Sequence, residues 1–586
     1  MSNGLDAFNA KRMTADQVAG SFVVPAEFDR LSGNDHVYVI GPRGSGKTTL
    51  LRMLTGETLR AWEGSEAEAA RRRIDYTSIF VPADELWASQ ASSGNIRVAF
   101  AGQLLLAAID AMTYRVSGNL GVHLPASLSL SSEIALTNHF ARLWGLGEVL
   151  GGFKGLQAGL ELLLLELPRQ DLGDHALAAP DSLRLLVPAL EAFNREVEQR
   201  GHRWALLLDE MELAPPAVHA MVTRFVRGGP PILTLKISMS PFDRFMQIYG
   251  EEALPAPGND FDTIYLSGRP VRELRAFTNG LWRSALKARG LQHRELSAAL
   301  DDRAPTPRDR PAADRSGVGF VRSMANRDPE LRQWLRRRQV NLSDASSMSY
   351  SERSATIRKI TPLLVYRDAL LNFRDGQPVK RSRKKSFEPF TGANAIATIL
   401  EGNPRWIKSA FAQMLERYDA RTQSISAGFQ LDSLTSVADR FEALLRVLPT
   451  RQGDGEAMAP LQLVDTIARY LRDRNLGPFT ADAPNSFVVD HGTPDEVRRA
   501  LLLCLYAGAI VHLRSRNSPA VLSSFTNERF RLTYLLSVRD GKELPLRLGK
   551  DVRLTSVLEV PRSRLRSRPH EQGTALPLEW SDYEGA

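Results

Sequence analysis

Three sets of residues in this 586-residue chain have the types and spacing to act on a phosphate anhydride. The first is Gly41-Pro42-Arg43-Gly44-Ser45-Gly46-Lys47-Thr48, which carries the spacing G-x-x-x-x-G-K-[ST]. Its glycines let backbone N–H groups turn inward around an anion. Lys47 places a positive charge on β and γ phosphates, and the Thr48 hydroxyl suits Mg²⁺. An apolar run at 36–40 precedes the loop. A helix is expected from Lys47 through Thr48 and Thr49, so its positive end faces the same anion. The second set is Ala205-Leu206-Leu207-Leu208-Asp209-Glu210. An apolar buried strand ending in two carboxylates delivers both to the carboxyl edge of a sheet. Asp209 is the expected Mg²⁺ partner, and Glu210 the group that orients and activates water, with Glu212 a third acid nearby. The third set, Ser238-Met239-Ser240, ends the next strand. A polar side chain there fits either a hold on the attacking water or ordinary turn chemistry.

Five runs supply the strands that must position these groups: 36–40, 76–82, 204–208, 232–238 and 262–266. They alternate with helical stretches, which implies a parallel α/β sheet. The stretch after the second strand is too long for one crossover helix and reads as a helical insertion, about 92–200. We divide the chain into an N-terminal arm (1–35), an α/β core with that insertion (36–290), a polar insert or linker (291–350), a helical lid (351–420), a C-terminal domain (421–558) and a tail (559–586). The C-terminal domain reads as a strand at 487–489, a helix at 493–507 with Thr493 as N-cap and Pro494 first, then strands at 509–514 and 530–536. That is the element order of a winged helix.

Composition narrows the class. Hydrophobic residues make up 43% and charged residues 24%, which excludes collagen-like, coiled-coil and wholly disordered chains. The single cysteine, Cys504, excludes an intrachain disulfide, a four-cysteine zinc site and a CxxC redox pair. Residues 1–19 lack the apolar core of a secretory signal. The apolar run at 500–511 is short of the ~18 residues a membrane span needs. A cytoplasmic protein with no membrane partner is expected. The net charge is +8, yet residues 331–385 hold 14 Lys/Arg against 4 Asp/Glu. Such a block fits a solvated helical face, a nucleic-acid contact or arginines for a phosphate site.

The phosphate loop, Asp209-Glu210, the polar strand end and Gly402-Asn403-Pro404-Arg405 together resemble an AAA+ ATPase. Within that class the chain is similar to bacterial ATPases related to origin-recognition and replication-initiator proteins (the ORC-CDC type). Phe8-Asn9-Ala10, Phe22-Val23-Val24-Pro25, Arg381-Ser382-Arg383-Lys384 and Phe530-Arg531-Leu532-Thr533-Tyr534 share in the likeness. The resemblance implies an α/β P-loop NTPase (AAA+) core with helical insertion, helical lid and C-terminal winged-helix domain. It implies ATP and Mg²⁺ as ligands and ATP hydrolysis as the reaction. Arg405 then matches the second-sensor arginine, which reaches the γ-phosphate. The first-sensor position departs from the Asn of many relatives, with Met239 between two serines. An arginine finger in trans implies a homo-oligomer, and Arg244 is its best placed candidate, ahead of Arg224 and Arg227. Phe22, Pro25 and Phe28 are candidates for the adenine pocket.

Two functions compete at this point. One is an ATP-driven switch acting on duplex DNA and partner proteins, in a mobile-element or anti-phage defence setting that only the resemblance suggests. Arg381 to Lys385 in the basic block and Arg514, Arg516 and Arg529 around the wing are its expected DNA contacts. The other is a signalling NTPase that assembles on ATP binding and controls a separate effector protein without DNA. An ABC-type ATPase is disfavoured because no LSGGQ-like signature precedes Asp209, and a helicase because no second motor domain is visible.

Overall fold

The computed structural model describes residues 12–90, 92–117, 126–149, 151–242, 258–300, 318–340, 342, 350–374, 377–381, 388–418, 423–452, 455–515, 518 and 521–559. Among them the core is a five-stranded sheet of β1 (Val37–Ile40), β2 (Tyr76–Pro82), β3 (Arg203–Asp209), β4 (Leu233–Met239) and β5 (Asp262–Tyr265). The strand order is β2-β3-β4-β1-β5, and every pairing is parallel. Strands β1 and β4 are buried at every position, as a sheet covered on both faces demands. Parallel pairing also sets the function. Ile40 lies beside Met239, and Pro82 beside Asp209, so the carboxyl ends of β1, β3 and β4 open on one edge.

Helices Ser93–Val116, Leu130–Leu143, Gly152–Glu166 and Leu186–Glu196 fill the span between β2 and β3, as the helical insertion requires. Ser93–Val116 is long and apolar enough to cross a membrane by length and composition. Here its Val98, Phe100, Leu104, Ile109 and Met112 are buried in the core, and it packs on β2.

The stretch expected to be a polar linker contains two packed helices, Val318–Arg327 and Pro329–Arg337. Val321, Met324, Leu331 and Leu335 form a buried stripe within an arginine-rich sequence, which masked the helical period. Asp328 caps the second helix and pairs at 3.1 Å with buried Arg367 of helix Tyr350–Leu370. The sequence pattern reads as helical from 357 to 418 apart from a basic turn at 380–385. The chain instead forms the hairpin β6 (Leu371–Arg374) and β7 (Gln377–Lys380). Helices Ala393–Ile399 and Pro404–Met414 follow and pack against Val271–Ala288, the helix after β5.

Helix Ala427–Val447, a short hairpin of β8 (Arg451–Gln452) and β9 (Gly455–Glu456), and helix Pro460–Leu476 lead into the C-terminal sheet. That sheet contains β10 (Pro484–Val488), β11 (Ile510–His512), β12 (Arg529–Leu532) and β13 (Lys550–Arg553) in the order β11-β12-β10-β13. Strands β10, β12 and β11 form an antiparallel trio, and helix Asp495–Ala507 lies between β10 and β11 in the chain. Strand β13, which the sequence did not suggest, adds in parallel to β10. The helix starts later than its cap signal implied. Pro494 is the N-cap, and Thr493 instead donates its hydroxyl hydrogen to Asp490.

Candidate active site

The phosphate loop joins β1 to helix Lys47–Arg52 and takes two left-handed turns, at Gly44 (φ +81°) and Gly46 (φ +96°). A Cβ at Gly44 would stand 3.3 Å from Asn403 Oδ1, and one at Gly46 would stand 3.3 Å from Pro404. The glycines therefore also let the lid lie directly on the loop. Asn403 caps helix Pro404–Met414 by accepting from the N–H groups of Arg405 and Trp406, and its Nδ2 donates to Arg43 O at 3.4 Å. The C-terminal domain closes the other side. Arg43 N–H donates to Tyr506 O at 2.8 Å, and Pro42 packs against Gly508.

These elements enclose a cleft of about 350 Å³ lined by the whole loop from Pro42 to Thr49 and by Glu210, Glu212, Arg405, Lys408 and Tyr506. Lys47 is buried, and its Nζ donates to Gly41 O at 2.8 Å. Glu212 Oε1 stands 3.6 Å from the same ammonium. Glu212, noted in the sequence only as a third acid, is thus the ionic partner of the loop lysine. Its carboxyl is raised by burial, with Lys47 pulling the other way.

Asp209 is fully buried, and burial raises its carboxyl against the hydrogen bonds of the Ser238 and Thr48 hydroxyls. Ser238 Oγ donates to Asp209 Oδ1 at 2.5 Å and accepts from the Glu210 N–H at 2.9 Å. Glu210 sits in the left-handed region (φ +57°), a strained conformation for a side chain with a Cβ, at the very end of β3. That turn leaves Glu210 lining the cleft. Ser238 is therefore spent holding the acidic pair in place. Met239 is buried, and Ser240 hydrogen-bonds locally to Phe242, so neither lines the cleft.

Arg405 lines the cleft as expected. Burial first, then the neighbouring Arg43 charge, lower its pKa, with Tyr506 and Glu210 opposing. A small apolar pocket adjoins, lined by Phe22, Val23, Pro25, Phe277, Leu281 and Lys408 among others. Of the three residues considered for an adenine pocket, Phe22 and Pro25 line this space. Phe28 is not: it is buried in the core with its ring 5.9 Å from that of Trp62. Arg244, the expected finger, lies outside the described residues, and so do Arg516 and 382–385. Arg514 lies 3.1 Å above the Tyr265 ring and Arg529 pairs with Asp551 at 2.8 Å, so both expected wing contacts are engaged within the chain.

A family model described as ORC-CDC6-like matches residues 3–554. The chain belongs to the ORC-CDC6-like family. It is accordingly an AAA+ ATPase by family. No curated protein matches the chain. Among solved structures, the Aeropyrum pernix ORC1 protein in complex with DNA is similar, at 11% identity over 92% of this chain and 96% of that one. The TM-score is 0.28, a likeness too loose to assign a role to any residue here. Cation excess is the property of this ORC-CDC6-like cleft that the sequence hid. Arg43 and Lys47 were legible in the loop and Arg405 in the lid, but Lys408 had no motif to announce it.

Proposed function

We propose that this ORC-CDC6-like chain binds ATP with Mg²⁺ in the carboxyl-edge cleft, hydrolyses it, and uses the cycle to move its lid and C-terminal domain. One observation carries the reading: Arg43, Lys47, Arg405 and Lys408 converge on a cleft whose water-activating candidate, Glu210, stands at its wall. In this reading Lys47 and the inward N–H groups hold the β and γ phosphates, and Arg405 takes the γ-phosphate from the lid. Glu210 orients the attacking water and accepts its proton. Phe22 and Pro25 wall the adenine.

The donors fit magnesium. Thr48 and Asp209, a hydroxyl and a carboxylate brought side by side, are hard oxygen donors, and Mg²⁺ is typically held by one or two carboxylates plus the substrate's phosphates. They would hold the ion, which neutralises charge building on the phosphates. Among the described residues no cluster of three or more His, Cys, Asp or Glu competes for it.

The reading extends to a homo-oligomer with Arg244 as the finger in trans, to a cytoplasmic setting and to duplex DNA as a partner. Exposed Arg336 and Arg337 on helix Pro329–Arg337 support the DNA proposal, in place of the engaged wing arginines. The mobile-element or defence setting rests on the resemblance alone. The test is Glu210→Gln. ATP affinity should stay within a few-fold of wild type while hydrolysis falls by ~10²-fold or more. Unchanged turnover in a folded variant would remove Glu210 from the chemistry.

A further inference from the structure

Lys408 lies three residues after Arg405 on helix Pro404–Met414, so the two side chains share a face. It lines two spaces at once: the cleft that holds Lys47, Thr48 and Glu210, and the apolar pocket of Phe22, Pro25 and Phe277. Its side chain therefore borders both spaces. Burial lowers its pKa and is the single cause, because no carboxylate among the described residues comes close enough to offset it. Lys236 shows how the same chain treats a buried lysine that serves structure. Its Nζ donates to Gly33 O and to Asp35 O, each at 2.6 Å. Lys408 is half-buried in a cation-rich cleft with no carboxylate offsetting it, so its charge is open to an anion from outside the chain.

The nucleotide reading, on which this step rests, fixes which anion. With β and γ phosphates on Lys47 and the base against Phe22 and Pro25, the ribose and the α-phosphate must cross the border where Lys408 stands. The ribose is neutral and cannot balance a cation. We infer that Lys408 is a nucleotide-binding residue that grips the α-phosphate, so that the lid holds adenosine diphosphate as well as adenosine triphosphate. Arg405 and Lys408, one turn apart, then divide the work: one reads the terminal phosphate, the other stays engaged after it leaves.

Calorimetric titration of wild type, Lys408→Met, Lys408→Arg and Arg405→Ala with Mg·ATP and Mg·ADP tests this, each variant first checked by thermal melting. Lys408→Met should weaken ATP and ADP by the same factor, about tenfold or more. Lys408→Arg should keep both within a few-fold, and Arg405→Ala should weaken ATP far more than ADP. Wild-type ADP affinity in Lys408→Met overturns the inference, as does a loss confined to ATP. Equal losses in the Met and Arg variants would assign Lys408 to packing and overturn it too. Should the Met variant not fold, Lys408→Gln makes the same measurement. Wild-type protein that binds neither nucleotide would instead bring down the nucleotide reading itself.

Discussion

The lid loop at 401–405 faces two ways, and its two sides handle charge in opposite fashion. On one side Glu401, itself in the left-handed region at φ +51°, accepts from Arg531 Nη1 and Tyr534 N–H at 2.7 Å each and from Thr533 Oγ1 at 3.2 Å. Arg531 also lies 4.1 Å from the centre of the Tyr534 ring. Every charge there is matched inside the chain. On the other side, four residues on, Arg405 shares a cleft with Arg43, Lys47 and Lys408 against only Glu210 and Glu212, and the Arg43 and Arg405 guanidinium groups repel each other. Matched charges hold the lid to the C-terminal sheet. Surplus charge is what a binding cleft needs and what a scaffold avoids. The two sides are joined through Gly402 (φ +69°), where a Cβ would stand 2.9 Å from Leu274.

The latch should show the largest effect in stability. Arg531→Met leaves the Glu401 carboxylate in a nearly buried place without its cation, which costs ~3–5 kcal/mol. Urea unfolding measures it, and Arg531→Met/Glu401→Gln should recover most of the loss. A near-neutral single variant would mean the latch is solvated and the contrast between the two sides false. The cleft should respond in binding. Lys47→Ala removes the charge held against the phosphates and should lower ATP affinity by ~10²-fold or more, read by calorimetric titration of a variant shown to be folded. Unchanged ATP affinity in the folded variant would make Lys47 a structural lysine.

Much of this was legible in the sequence for a simple reason. The phosphate loop and the Asp209-Glu210 strand end are local patterns, in which chemistry and backbone demand coincide within eight residues. The five core strands were legible because a covered parallel sheet writes itself as apolar runs. What was not legible depends on contacts far apart in the chain. Glu212 became the partner of Lys47 only through the turn after β3. Ser238 fitted a water ligand and ordinary turn chemistry equally because it ends a strand, yet the neighbouring strand places Asp209 on its hydroxyl. Arg514 looked like a wing contact, but β5 brings Tyr265 beneath it. The helices at 318–327 and 329–337 were hidden because arginines are interspersed, one for one, with the five apolar residues that bury them.

Lys236 sharpens the comparison from the amino side of the sheet. Its pKa is lowered by burial, to about 7, with Asp35 and Asp262 opposing. A lysine in the unfolded chain titrates near ~10.4. Between those values the unfolded chain binds the extra proton, so stability should rise with pH across that window and level off above it. The gain should be about 1.4 kcal/mol for each pH unit of that window, read as the difference between wild type and Lys236→Met in urea titrations at several pH values. A Met variant with the same slope as wild type would show that Lys236 keeps its proton on the Gly33 and Asp35 carbonyls.

The smallest effect concerns the exposed arginines, and it carries the paired-versus-unpaired distinction to the surface. Arg336 and Arg337 end an exposed basic face on helix Pro329–Arg337. Arg514 and Arg529 are already taken by Tyr265 and Asp551. If duplex DNA is a partner, its phosphates should meet the first pair, and each contact contributes roughly −0.9 to the slope of log affinity against log salt. Arg336→Ala/Arg337→Ala should then reduce the magnitude of that slope by roughly 2 and weaken all sequences alike. Arg514→Ala/Arg529→Ala should leave the slope unchanged, although the first of these cuts a contact between β5 and the C-terminal domain. The measurement is duplex binding between low and moderate salt with ATP present. A slope that falls in the second pair and not in the first would return the DNA surface to the wing. Salt-insensitive wild-type binding would remove DNA and leave the protein-partner reading.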